Sequence, residues 1–246
     1  VKREIFLNVT SKEHLSESMA ERMKTGILGF DDLIKGGLIV NSINLVTGGP
    51  GSGKSIFSMA FLYMGASKFN EKGLYITFDE NIDDLKKDAA ELGWDFGELE
   101  KKGLVRFVYI HPYEPEINQR IESEIVSFSP ERVVVDSIST LSMSFADAYE
   151  VRKELYKLAF FFKKSASTTL LTSEMQSEKD MYSRYGVEEF VADSVFAFHY
   201  GGFGGPDDRT VRIIKMRRSG HEDGPIPFKI TRKGIAFSKE ASKIKL

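Results

Sequence analysis

From residue 42 onward the chain alternates short, continuously apolar runs with longer segments whose apolar residues recur every three or four positions. The runs SINLVTG (42–48), GLYITF (73–78), LVRFVYI (104–110), RVVVD (132–136) and STTLLTSE (167–174) have the length of strands. Between them, residues 54–64 are apolar nearly all round and predict a buried helix. Ile82, Leu85, Ala89 and Leu92 share one helical face behind Asn81, a good N-cap. Residues 117–128 read as a further helix, and Ala148, Val151, Leu155, Leu158 and Phe162 mark a long amphipathic one. Continuously apolar strands bury both faces, so this α/β alternation predicts a mostly parallel, twisted sheet with helices on both sides.

The ends of the chain depart from that alternation. DSVFAFHY (193–200), the Gly-rich turn GGFGGPDD (201–208) and TVRIIKM (210–216) read as a hairpin, with IPFKIT (226–231) and GIAFS (234–238) as further strands, so an antiparallel extension closes the domain. Near the start, KTGILGFDDLIKGGL (24–38) offers a short helix between paired glycine turns. Residues 1–24 are polar and charged apart from Ile5, Phe6, Leu7 and Val9. They form an arm that either docks on its own domain or reaches a neighbour, and residues 25–246 form one domain. No internal repeat is visible.

Composition narrows the chemistry. Lys and Arg total 34 against 36 Asp and Glu, so no overall basic field advertises nucleic acid or an anionic membrane. Cysteine is absent, which removes disulfides, thiolate chemistry and sulfur-built zinc sites and suits a reducing compartment. His14, His111, His199 and His221 lie far apart, without metal-ligand spacing. No apolar run approaches the roughly 18–20 residues of a membrane span, and the opening VKREIF lacks the apolar stretch of a signal peptide. These features predict a cytoplasmic protein with no membrane insertion.

The sharpest signal is GGPGSGKS (48–55), a G-x-x-x-x-G-K-S pattern placed after a strand and at the start of a helix. From average composition such a match arises in a chain of this length about once in a hundred. Its glycines let successive backbone N–H groups turn toward phosphate, and the helix N-terminus adds partial positive charge. Gly48, Gly49, Pro50, Gly51, Ser52, Gly53, Lys54, Ser55 and Ile56 are the expected nucleotide-binding set, with ATP and Mg2+ as ligands. Lys54 would reach the β and γ phosphates, and Ser55 would hold the metal. Asp136, at the end of RVVVD, supplies the carboxylate that fixes the metal's water shell. Asp79 and Glu80, ending the strand YITFDEN, supply a carboxylate to orient the attacking water. Because adjacent residues on a strand point opposite ways, one of the two faces the nucleotide, and the sequence leaves open which.

Six ordered motifs carry a resemblance: TGILGFDDLIKGGL, GGPGSGKS, YITFDEN, LGWDFGELEKKGLV, RVVVDSIST and IIKMRRSGH, the last followed by PFKITRKGI. From about Thr25 to Ser238 the chain resembles the KaiC-like group of RecA-superfamily ATPases, which includes clock proteins, gas-vesicle regulators and prokaryotic recombinase paralogues. The resemblance implies a RecA-like P-loop NTPase core and an ATPase that assembles as a homo-oligomer, plausibly a hexameric ring. It further implies nucleotide bound between subunits, with Lys215 and Arg217 reaching the neighbour's γ-phosphate. Arg218 stands where the group usually has Gly, and is expected to be solvent-exposed or an extra interface contact. The group commonly carries Glu-Glu where this chain has Asp79-Glu80, so hydrolysis would be slow if the first position were the base. Where autophosphorylating relatives carry Ser-Thr, this chain has Glu189-Phe190, which cannot accept phosphate, so autokinase activity is not implied.

The resemblance also admits a DNA-processing recombinase paralogue or a non-hydrolysing, nucleotide-dependent scaffold. The segments matching DNA-binding loops are LSMSFADA (141–148), with no cation, and EMQSEKDMYSRYGVEE (174–189), where Lys179 and Arg184 face five acidic residues. Tyr182 and Tyr185 could stack on bases, but packing against their own domain is the commoner fate of loop tyrosines. Nucleic acid is thus a possible partner that the charge pattern does not favour. A regulatory or mechanochemical assembly read by an unidentified protein partner is the leading expectation.

Overall fold

The computed structural model describes residues 20–142, 145, 147–175, 181–202, 205 and 208–237. A short antiparallel pair, β1 (Arg22–Met23) and β2 (Leu38–Ile39), brackets helix α1 (Phe30–Leu33). The body then runs β3 (Ile43–Gly48), α2 (Lys54–Phe69), β4 (Gly73–Thr77), α3 (Ile82–Glu91), α4 (Phe96–Lys101), β5 (Val105–Tyr109), α5 (Ile117–Phe128) and β6 (Arg132–Asp136). It continues through α6 (Ile138–Ser142), α7 (Ala148–Lys164), β7 (Thr168–Glu174) and α8 (Glu188–Val191). Strands β8 (Ser194–Tyr200), β9 (Arg209–Met216), β10 (Pro225–Thr231) and β11 (Gly234–Phe237) end the described chain. The apolar cluster Ile5, Phe6, Leu7 and Val9 of the arm lies outside the described residues.

The nine strands from β3 to β11 form one sheet in the order β11-β10-β9-β8-β3-β7-β6-β4-β5. Pairing is parallel from β8 across to β5 and antiparallel from β8 to β11, as the sequence pattern predicts. Alternate strand residues feed two cores. Val46, Tyr75, Val134, Leu170 and Phe196 face α2, α3 and α4, whereas Leu45, Leu74, Val133, Val135 and Leu171 face α5 and α7. Burial on both faces is why these strands read as continuous apolar runs.

Several boundaries carry their own physical cause. Asn81 caps α3, its Oδ1 accepting from the Asp83 N–H at 2.8 Å. Asp95 does the same for α4, a helix that two buried residues, Phe96 and Leu99, are too few to announce by periodicity. Helix α2 runs to Phe69, beyond the expected residue 64, and stops where Asn70 turns left-handed at φ 57°.

Arg132, at the amino end of β6, has no solvent exposure. Its guanidinium donates to the carbonyls of Lys24, Thr25 and Phe61, pairs with Glu71 at 2.5 Å, and lies 4.6 Å from the Phe61 ring centroid. A buried cation is tolerable only with such a full set of partners. One residue thereby ties the segment before α1, helix α2 and the central sheet together. Among the described residues no helix is long and apolar enough to cross a membrane.

Candidate active site

Parallel strands bring their carboxyl ends to one edge, so β3, β4, β6 and β7 deliver the predicted site residues to a common place. The loop after β3 needs its glycines. A Cβ on Gly48 would lie 2.3 Å from the Phe198 carbonyl oxygen, and Gly51 and Gly53 adopt φ of 70° and 101°. Lys54 folds back so that Nζ donates to the carbonyls of Gly48 at 2.8 Å and Gly49 at 3.0 Å. Burial lowers its pKa, opposed by the charges of Asp136, Glu174 and Glu80.

Asp136 is held from both flanking strands. Tyr75 of β4 donates its hydroxyl to Oδ2 and Thr172 of β7 donates to Oδ1, each at 2.5 Å. Burial raises the Tyr75 pKa well above its ordinary value, and the neighbouring Asp136 charge adds to it.

Asp79 and Glu80 do not end a strand. Strand β4 stops at Thr77, and the next residues form a turn. The Thr77 hydroxyl accepts from the Glu80 N–H at 3.1 Å and donates to the Glu80 carbonyl at 3.2 Å. The turn, not strand alternation, sends the two carboxylates to different surroundings. Asp79 accepts a hydrogen bond from Thr140 on α6, whereas Glu80 lines a cleft of about 510 Å³ together with Lys54, Ser55, Asp88, Arg209 and Ile230. Loss of solvent holds the Glu80 carboxyl above its usual pKa, and Asp136, Asp88 and Asp79 push the same way.

Sequence reasoning missed Tyr75, Thr172 and Arg209. Arg209 donates to the Gly51 carbonyl at 3.4 Å and lies 4.1 Å above the Tyr200 ring, beside the phosphate loop. Its position follows from the predicted β8–β9 hairpin together with β8 lying beside β3, a neighbour that no local pattern announces.

Lys215 and Arg217 sit elsewhere. The Arg217 N–H donates to the Asp193 carbonyl, and the Asp193 N–H donates to the Ile43 carbonyl. Arg217 is thus level with the start of β3, five residues and roughly 16 Å from the Gly48 end. Arg217 lies just past the end of β9, but both side chains still reach the carboxyl end of α8. Lys215 Nζ donates to the Glu189 carbonyl at 2.8 Å, and Arg217 donates to the Phe190 carbonyl at 3.4 Å and lies 3.7 Å from Asp193. Burial lowers the Lys215 pKa, and the neighbouring Arg217 charge adds to that. Arg218 is exposed at φ 61°, a left-handed conformation that glycine adopts without strain.

In the second loop, residues 176–180 lie outside the described residues, including Lys179. Tyr182 and Tyr185 pack against the α5/α7 core, and Arg184 pairs with Glu174 at 2.7 Å. Neither tyrosine is presented as a stacking platform. No group of three or more His, Cys, Asp or Glu is placed to hold a metal among the described residues.

The sequence model of the KaiC ATPase family matches residues 23–242. The chain belongs to the KaiC ATPase family. It is 36% identical over 240 residues to the circadian clock oscillator protein KaiC of Synechococcus elongatus, covering 92% of this chain and 46% of that protein. To the protein of that name from Parathermosynechococcus lividus it is 36% identical over 225 residues, or 87% of this chain and 42% of that one. The chain therefore spans about half the length of the curated relatives it matches. A crystal structure of a KaiC-like protein from the archaeon Pyrococcus horikoshii OT3 superposes with a TM-score of 0.80 at 34% identity, over 89% of this chain and 99% of that one. Family membership and the superposition identify a P-loop ATPase-family domain with a RecA-like α/β core.

Proposed function

We propose that this KaiC-family domain hydrolyses ATP at sites completed between neighbouring copies of the chain, in a homo-oligomer that the family relationship suggests is a hexameric ring. The observation that carries this reading is the division of charge across the sheet. The cleft gathers the phosphate loop, Lys54 and three carboxylates, while Lys215 and Arg217 lie toward the other end of the strands, level with Leu45 and Ile43 and so roughly 10 and 16 Å from the Gly48 end. They cannot serve their own cleft, and a head-to-tail neighbour brings them to it.

In the proposed site the loop amides from Gly48 to Ser55, with Ile56 in the first turn of α2, cradle the phosphates, and Lys54 exchanges its two loop carbonyls for phosphate oxygens. Ser55 and Asp136 fit Mg2+. Both offer hard oxygens, and among the described residues the Asp136 carboxylate accepts from two neutral hydroxyls, which do not cancel its charge. Held by Ser55 and Asp136, the metal would supply positive charge to offset that of the phosphates. Glu80 lines the cleft and orients the attacking water, whereas Asp79 is engaged with Thr140. Glu80 in that role favours hydrolysis over a passive scaffold. Lys215 and Arg217 of the adjoining copy stabilise charge on the transferring phosphoryl group. Nucleotide state then sets the shape of the assembly, which a protein partner reads. The paired Arg184 and packed Tyr182 and Tyr185 argue against a DNA-processing role.

The test is mass by light scattering without nucleotide, with ADP and with a non-hydrolysable ATP analogue, followed by phosphate release across a range of protein concentrations. A nucleotide-dependent closed oligomer whose specific activity rises with concentration is expected. A monomer in every state, or turnover independent of concentration, rules the intersubunit site out.

A further inference from the structure

We infer that Tyr75 and Thr172 are positioning residues for the metal site, holding the two oxygens of the Asp136 carboxylate from the strands on either side. This rests on the reading of the cleft as a Mg2+–ATP site.

Tyr75 is fully buried in the middle of β4, stacked on Phe107 with ring centroids 5.3 Å apart and planes inclined by 23°. For packing alone a phenylalanine would suffice. A buried phenol hydroxyl must find partners or lose hydration without return. The partner of Tyr75 is Asp136 Oδ2, which accepts its hydrogen bond at 2.5 Å.

For a hard cation this arrangement fixes the carboxylate. Thr172 holds Oδ1 from β7 while Tyr75 holds Oδ2 from β4, so Asp136 is gripped from the strands on either side and cannot rotate. Both donors are neutral and leave the negative charge of Asp136 intact, which a lysine or arginine in either place would cancel. Groups that orient a metal-site carboxylate typically set metal affinity by 10- to 100-fold.

The test titrates Mg2+ into the full chain with ADP, and with a non-hydrolysable ATP analogue, while nucleotide affinity is followed by calorimetry. Tyr75→Phe keeps the ring and its stacking. It is expected to raise the Mg2+ concentration at the midpoint roughly 10- to 100-fold, with nucleotide affinity in EDTA within about twofold of wild type. Thr172→Val is expected to move the midpoint the same way, and Thr172→Ser to leave it at the wild-type value. These threonine variants decide the matter if Tyr75→Phe fails to fold. Lower thermal stability with an unchanged Mg2+ midpoint in Tyr75→Phe and Thr172→Val overturns the inference and leaves the nucleotide site standing. A wild-type chain whose nucleotide affinity ignores Mg2+ overturns both.

Discussion

Lys54 and Lys215 close on backbone carbonyls in the same manner, toward opposite ends of the strands of one sheet, and their surroundings differ in sign. Three carboxylates, Asp136, Glu174 and Glu80, surround Lys54 and oppose the lowering of its pKa by burial. The strongest neighbour of Lys215 is another cation, Arg217, and the two share the carboxyl end of a four-residue helix. A lysine among carboxylates belongs to a site already balanced within the chain. A like-charged pair held mainly by carbonyl dipoles is suited to an anion from outside, because its own chain supplies only Asp193 and Glu189 against it.

The strongest way to break this contrast is to remove the outer pair. Lys215→Ala combined with Arg217→Ala should retain nucleotide binding and lower turnover by about 10³- to 10⁵-fold, the range for cations supplied in trans. Mixing that double variant with Lys54→Ala chains should restore activity at roughly a quarter of the joints of a random ring, where an intact cleft meets an intact pair. Absence of any recovery on mixing would place both groups in one chain's own chemistry. Next in size is Glu80→Gln, expected to reduce turnover about 10²- to 10⁴-fold with binding intact, while Asp79→Asn changes it by less than about tenfold. Single-turnover phosphate release distinguishes the two, and the reverse ranking would reassign the base.

A smaller effect concerns pH. In its proposed role Glu80 must be ionised to orient water, and its pKa stands above the ordinary 4.5 of glutamate. Turnover should therefore fall as pH drops through a value above 4.5, and Asp79→Asn, by removing a charge that raises that pKa, should move the acid limb downward. A pH–rate profile of the two proteins checks the sign. The smallest effect is expected at Arg218, whose left-handed backbone costs about 1–2 kcal/mol relative to glycine, while glycine loses about 0.5–1 kcal/mol more entropy on folding. Arg218→Gly should raise stability by about 0.5 kcal/mol in denaturant titration, and a decrease would show that the arginine makes a stabilising contact.

Much of this was written in local pattern. The predicted bounds of α5 and β6 coincide with those observed, because a fully buried strand or an amphipathic helix announces itself within its own length. The phosphate loop and Asp136 were readable for the same reason. What escaped depends on sheet order. Tyr75 reads as one more apolar position until β4 is known to lie beside β6, and Thr172 until β7 is known to lie on the other side. Asp79 and Glu80 were expected to alternate along a strand, and a hydrogen-bonded turn at Thr77 decides their directions instead. Helices α4, α6 and α8, of six, five and four residues, are too short for a periodic signal.

Gly65, inside α2, is where the buried guanidinium of Arg132 leaves its mark on the rest of the sequence. A Cβ built there would lie 2.3 Å from Arg132 Nε and 2.4 Å from Cδ, far inside contact distance. The two positions, 67 residues apart, therefore form one inherited unit. A homologue with alanine or anything larger at position 65 must carry a shorter residue than arginine at 132. In that lineage Glu71 loses its partner, and the carbonyls of Lys24, Thr25 and Phe61 must find other donors. Covariation among columns 65, 71 and 132 is thus the trace this clamp should leave in evolution, with none of the three drifting alone.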